Sequence, residues 1–499
     1  MAPPRLRAPS PRPTALLSAC LLALAAFALA ALVAAVVWTV FAHDGDRLRV
    51  LVGTAACWVA AIAAWALVRR AERSGAGHRW VLGTIVLGLL AAGGASMSAP
   101  PSTSNDSARY AWDGIVQKAG ISPYRDVPAS DALADLRPAW LFASRDGQRC
   151  ETAAPGGHFP TGDVLTDSVP GGEPLCTAIN RPRVPTAYPP VAEAYFGAVR
   201  LPLPAGVGWI AFQAVGLVLA LAGTLLLARA LPRAGIPVAY AALWAWNPLV
   251  LLEAVNNAHV DALAAVLLAG AALALGARRV GRSGILFGLA VATKVIPAAA
   301  LPGMLRDRPR RFAAAAVGTV GAVYVPYVLA SGPAVLGYLP GYLSEEGYSS
   351  GGDTTRFSLP GILLPPGAAL VVGVAALLAV WAGVWLARHR LEPAVAQAVS
   401  VGWALVIVCP SYAWYALMLI PLALIARRPE FLVVPAALEA VSATVGTGAG
   451  PMVSRAAMAA AAVVLLVAAM ARRRARRRPQ RGPAPSAYSQ GLPRAKRAA

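Results

Sequence analysis

Apolar runs of about 18 residues or more recur along this chain, and they limit its fold more than any other feature. A helix of that length spans the hydrocarbon of a bilayer. Inside lipid every backbone N–H and C=O must be paired within the structure, so each run is a helix and the fold class is an all-α polytopic membrane protein. The runs fall at about residues 14–41, 49–68, 80–99, 206–230, 236–255, 260–277, 312–331, 366–387, 393–409, 412–427, 431–449 and 455–471, which gives about 12 full spans. Only 13% of residues are charged, against about 25% in soluble globular proteins.

The basic residues lie between the runs, at Arg69–Arg70, Arg278–Arg279, Arg306–Arg311, Arg388–Arg390, Arg427–Arg428 and Arg472–Arg478. That is the pattern of cytoplasmic loops under the positive-inside rule, and it puts both termini in the cytoplasm. The net charge of +21 therefore reads as topology and contact with anionic lipid, not as a nucleic-acid groove. The first run is longer than the h-region of a signal peptide, about 7–15 residues, and reads as a retained span. Residues 283–305 have basic residues at both ends. This favours two half-length helices, 283–293 and 297–305, broken at Lys294–Pro297, over one crossing. Four regions follow: a disordered cytoplasmic tail at 1–13, two N-terminal spans at 14–79, a membrane body at 80–471, and a basic disordered tail at 472–499. The body carries one large extracytoplasmic loop, 100–205, and a second outer loop, 332–356, holding Tyr338, Tyr342, Glu345, Glu346, Asp353 and Arg356.

The polar candidates converge on the extracytoplasmic face, where no nucleotide is supplied, so an activated donor must be delivered on a lipid; polyprenyl-phosphate sugars fit that requirement. The stretch SNDSARYAWDGIVQKAGISPY (104–124) follows the third run and reads as a short amphipathic helix from Ser107 to Lys118 lying along the membrane surface. Sugar transfer needs a carboxylate to take the acceptor proton and positive charge to hold the departing phosphate. Asp106, just past the membrane exit, is the candidate base, against a cap of the following helix. Asp113 reads equally as structural or as a contact to a sugar hydroxyl. Arg109 either pairs with a carboxylate or snorkels to head groups, and Tyr110 lies between the two acids as a binding candidate. In NNAHVD, Asn257 is a binding candidate, His259 either hydrogen-bonds sugar or phosphate or is a capping or interfacial residue, and Asp261 is either a helix cap or a second carboxylate in the cavity. Lys294 is a phosphate contact at bilayer depth or a snorkelling lysine, and Arg356 is the second phosphate candidate. Tyr415, beside Trp414, stacks on sugar or belongs to an aromatic belt. Cys150 and Cys176 are the cysteine pair of the large loop, and in an oxidising compartment they are expected to form a disulfide. No CxxC or HExxH spacing occurs and no cofactor is expected, with a divalent ion left open.

With those residues assembled, the chain resembles the GT-C superfamily of polyprenyl-phosphate-sugar-dependent glycosyltransferases, and within it the family 87 mannosyltransferases. The pieces that carry the resemblance are NDSARYAWDG, AYPPVAEAYFGAV, WNPLVLLEAVNNAHVDAL, GLAVATKVIPAAALP and PSYAWYALMLIPLAL, in that order over about residues 80–427. The resemblance implies a GT-C-like fold, an acid in the first large outer loop acting as base (here Asp106), a lipid-linked donor, and a cavity open to the outer leaflet. The spans at 14–79 are additional to the family order. The expected function is transfer of a hexose, mannose most often in the family, from a polyprenyl phosphate to a lipid or glycan acceptor at the cell (plasma) membrane. A transporter or flippase of lipid-linked sugars is the alternative from another class; it predicts repeat symmetry, which the sequence does not display.

Overall fold

The computed structural model describes residues 13–42, 46–143, 145–146, 149–150, 167–168, 174–179, 181–204, 206–337, 341 and 356–477. The chain is a helical, multi-pass membrane protein. Among the described residues seven helices are long and apolar enough to cross a bilayer, or up to eight if the bent pair Val238–Ala245 and Val250–Asn256 is one span. The long ones include α1 (Pro13–Val40), α2 (Arg47–Arg73), α3 (His78–Ser96) and, after α4 (Asp106–Lys118) and α5 (Pro190–Arg200), α6 (Ile210–Arg233). Their flanks expose Phe27, Trp80, Leu87 and Val218, the surface that lipid covers.

The count differs from the twelve spans expected, and the reason is local. After the short α7 (Ala242–Ala245) the middle of the body is built from helices too short to cross alone: α8 (Asp261–Gly276), α9 (Val280–Thr293) and the segments Pro393–Val408 and Ala413–Ile425. At about 1.5 Å per residue, 16 residues fall well short of a bilayer crossing of about 30 Å. Each stops at a break written in the sequence. Pro248 interrupts the first pair, which bends by 58°. Lys294 is extended (φ −152°, ψ 140°), and the chain resumes as a 3-10 turn, Ile296–Ala300, followed by α10 (Leu301–Met304). Cys409 turns left-handed (φ 49°) before Pro410. The long α11 (Pro309–Ser331) then packs on α9, and α8 on α9.

The second half of the bent pair is a π-helix, Val250–Asn256. Such wide turns are rare and cluster at functional sites. Asn247 starts it: its Oδ1 accepts from Leu249 N–H at 3.0 Å, replacing a ladder that Pro248 interrupts. Gly216 on α6 lets it approach closely, because a β-carbon there would collide with the Ala254 carbonyl oxygen.

Within the large loop α4 packs against α5. Gly114 allows the approach, since a side chain there would strike the Phe196 carbonyl and Arg200. Helix α4 does not lie open along lipid: Ser107 through Val116 are all buried, because α5, the 3-10 turn Asp131–Leu136 and the residues around Leu141 and Ile179 close over both its sides. Short antiparallel pairings, Phe142–Ala143 with Pro174–Thr177 and the latter with Asp167–Ser168, tie the loop together. Cys176 is disulfide-bonded. The side chain of its expected partner, Cys150, lies outside the described ones, as do Tyr338, Tyr342, Glu345, Glu346 and Asp353 of the second loop.

Candidate active site

The site begins where α3 ends. Asn256, the last residue of the π-helix, is fully buried. Its Nδ2 donates to the carbonyls of Ser96 (2.9 Å), Ala99 (3.3 Å) and Pro100 (3.1 Å), and its Oδ1 accepts from Ser102 N–H (3.0 Å) and Oγ (2.8 Å). Gln213 on α6 donates to Ala99 O and Asn256 O. Asn257 takes the next stretch: its Oδ1 accepts from Ser102 and Thr103 N–H, and its Nδ2 donates to Thr103 Oγ1 at 2.6 Å. These amides replace the water that an exiting chain otherwise finds, and they fix the start of α4 and Asp106 with it. Asn256→Ala strips partners from several buried backbone groups at once. At about 1–3 kcal/mol for each group left unpaired, a loss of at least about 3 kcal/mol is expected, read as a lowered Tm of the detergent-solubilised protein. A Tm equal to that of the wild type would show that the amide holds nothing.

Asp106 is the first residue of α4, where the helix dipole favours a negative charge. Tyr188 Oη donates to its Oδ2 at 3.1 Å, and His259 Nδ1 lies 3.6 Å from the same oxygen. The opposite ring nitrogen, Nε2, lies 3.2 Å from Glu253 Oε2, which also accepts from Asn257 Nδ2 at 2.9 Å. His259 is thus held between two carboxylates. Trp414 stacks on its face, with centroids 3.8 Å apart and planes 21° from parallel, and Tyr412 stacks on Trp414. Ala258 makes this possible by adopting φ 57°, a conformation costing an L-residue about 1 kcal/mol or more. The strain turns the chain from the π-helix into α8 and points His259 back at Asp106.

The positive charge is next door. Lys294, at the break after α9, places Nζ 3.4 Å from Asp261 Oδ2, at the start of α8. The ammonium sits 5.1 Å from the ring centre of Tyr188 and 5.5 Å from that of Tyr415, within cation–π range. Tyr188 therefore joins both halves: its hydroxyl reaches the Asp106 carboxylate and its ring faces the Lys294 ammonium. Side chains of Asp106 and Lys294 keep 15% and 16% of their surface exposed, while His259 and Asp261 are sealed. Both groups that chemistry would use therefore keep surface that a ligand can touch. Arg356 is buried, and the next residue, Phe357, donates its N–H to Val408 O.

Three candidates on α4 are taken up in its own packing: Arg109 and Asp113 pair with each other, and Tyr110 also meets Tyr188 edge-on, centroids 5.1 Å apart. Arg109 Nε donates to both oxygens of Asp113, at 2.8 and 3.0 Å, and Nη1 to Val184 O. Tyr110 stacks on Phe196, centroids 4.3 Å apart, and its phenol is held far above the ordinary value by burial first, then by Asp106 and Asp261. Asp113 and Glu193 form a buried acid pair. Burial raises both; the Asp113 charge raises Glu193 further, while Arg109 opposes the rise at Asp113. Thr186 Oγ1 donates to Glu193 Oε1 at 2.6 Å and Gln117 Nε2 to Oε2 at 3.1 Å. This cluster joins α4 to α5 and supports Asp106 from behind. A raised acid contributes stability that is complete below its unfolded value, about 4.3 for Glu, and is lost as pH rises through the folded value. Glu193→Gln fixes the neutral form. It should therefore exceed the wild type in Tm at alkaline pH, with the gap closing as pH falls; melting curves in detergent across the pH range measure it, and a gap independent of pH would contradict the raised acid.

Sequence reasoning overlooked Tyr188 and Glu253 as parts of the site. Glu253 carried a readable signal, an acid inside an apolar run. Tyr188 appeared only within the AYPPVAEAYFGAV segment. Among the described residues no group of three or more His, Cys, Asp and Glu is placed to hold a metal ion.

Residues 186–411 match the family model Glycosyltransferase family 87. The matched stretch is a little under half of the chain and contains Tyr188, Glu253, Asn256, Asn257, His259, Asp261, Lys294 and Arg356. Asp106 and Tyr415 lie outside it. No curated protein and no solved structure matches the chain.

Proposed function

We propose that the protein is a membrane glycosyltransferase of the GT-C type that moves a hexose, mannose by family resemblance, from a polyprenyl-phosphate donor to a lipid or glycan acceptor on the extracytoplasmic face. The observation that carries this reading is the pairing around Tyr188: a partly exposed carboxylate on its hydroxyl and a partly exposed ammonium over its ring.

The acceptor hydroxyl docks against Asp106, and its oxygen attacks the anomeric carbon of the donor. The bond from that carbon to the phosphate oxygen breaks as the new glycosidic bond forms. The hydroxyl proton passes to Asp106 Oδ2, and the electron pair leaves on polyprenyl phosphate. Lys294 holds the growing phosphate charge as a charge-assisted partner, and Arg356 is the second cation offered to it. His259 and Tyr188 fix the Asp106 carboxylate so that no reorganisation is needed at the moment of transfer. Asn257 and Asp261 position His259 and Lys294, and Tyr415 closes the ammonium's cage.

The reaction is tested by incubating membranes that contain the protein with polyprenyl phosphate carrying a labelled mannose. The expected result is label in a new glycosidic product that resists the mild acid hydrolysis which frees sugar from the lipid phosphate. Label that crosses the membrane but stays on the original lipid would contradict transfer and favour a transporter.

A further inference from the structure

Beside the Trp414–Tyr412 stack lies a cavity of about 310 Å³ that the mechanism above does not use. Its walls come from the N-terminal spans (Thr39 on α1, Asp46, Arg47, Val50 and Thr54 around the start of α2), from Ser102 and Thr103 just upstream of Asp106, and from the residues around Glu439 and Ser442. Glu253 and Trp414 line it too, so it shares two residues with the surroundings of His259.

Its chemistry is specific. Glu253, Glu439 and Asp46 line it together with one arginine, Arg47, whose Nη1 already donates to Val445 O at 2.5 Å. Serine and threonine hydroxyls fill much of the remaining wall. Such a lining repels phosphate. It suits a ligand that presents many O–H donors and no charge. Two atoms on the lining are buried without a partner among the described residues: Glu439 Oε1, although Oε2 accepts from Trp58 Nε1, and Trp414 Nε1. Glu439 is 9% exposed and Trp414 6%. One is an acceptor and one a donor, and leaving such groups unmatched costs about 1–3 kcal/mol each. Neither atom has free surface of its own, so a polyol that enters with a small rotation of these two side chains supplies both partners at once. The volume is at the low end of ligand clefts, about 300–1,000 Å³, which fits a short saccharide and not a long chain.

We infer that this cavity is a binding site for a neutral saccharide, and, resting on the transferase reading, that it holds the sugar portion of the acceptor. The donor phosphate belongs on the other side of His259, where Lys294 stands. The two additional N-terminal spans then have a function: they build the acceptor wall, beyond the stretch that matches the family.

The test is binding of mannobiose to the purified full-length protein in lipid nanodiscs, followed by ligand-observed NMR, with inorganic phosphate as competitor. Glu439→Gln and Trp414→Phe should each weaken binding by about tenfold or more, equivalent to about 1.4 kcal/mol. Ser442→Trp, which fills the space and leaves the charged groups in place, should remove binding. Lys294→Met should leave it unchanged. Wild-type protein that fails to bind, saccharide displaced by phosphate, or Ser442→Trp protein that melts like the wild type and still binds would overturn the assignment. The measurement needs no turnover, so a failed binding assay and a failed transfer assay are separate results.

Discussion

Asp106→Asn is expected to lower the turnover of sugar transfer by about 10³-fold, within the range of about 10²–10⁴ for loss of a positioned base. The substitution is chosen because it changes little else. Asparagine Oδ1 still accepts from Tyr188 Oη, now at 3.1 Å from Asp106, and the side chain keeps its place at the start of α4. What it loses is the ability to take a proton. Tm and donor KM should therefore match the wild type while kcat falls. A variant with full kcat would mean that the carboxylate only anchors the helix.

Lys294→Met is expected to act on the other half of the reaction. Methionine keeps the unbranched apolar stem between the rings of Tyr188 and Tyr415 and removes the ammonium. Losing a charge-assisted contact to phosphate costs about 2 kcal/mol or more, which raises donor KM about 30-fold. A second effect is separable. Asp261 is fully buried, and Lys294 is its cation at 3.4 Å. Stranding it costs about 3 kcal/mol of stability, seen as a lower Tm. Lys294→Arg restores the charge and should recover the Tm with only part of the donor affinity, since the fork differs in shape from the ammonium. Full recovery of donor KM in the methionine variant would assign the lysine to folding alone.

Much of the site was legible in the sequence because membrane chains show polar residues against a plain background. Asp106 after a span, the NNAHVD corner and Lys294 inside an apolar stretch all stand out for that reason, and the structure brings Asp106, His259, Asp261 and Lys294 to one corner. The amides of Asn256 and Asn257 were readable as polar residues but not as staples, because their partners are backbone groups some 150 residues away. The span count was not legible. Hydropathy measures how apolar a stretch is, and 261–276 is as apolar as a full crossing; only packing shows that α8 and α9 are short, buried elements ending at the site. For Asp113 and Arg109 the sequence left alternatives open, a structural acid or a sugar contact, a carboxylate partner or head groups. Their spacing of four on a helix allows a pair, but burial beside Glu193 turns the pair into a brace, and no local pattern encodes which helix will cover it.

The central claim is that the sugar arrives on a lipid phosphate and leaves through a site built on Asp106 and Lys294. The most direct measurement supplies purified protein in liposomes with labelled mannose in two forms, on polyprenyl phosphate or on a nucleotide, each with the same glycan acceptor. The account predicts transfer from the lipid donor alone, lost in Asp106→Asn. Transfer from the nucleotide in the absence of lipid donor, or equal transfer by the wild type and Asp106→Asn, would contradict it.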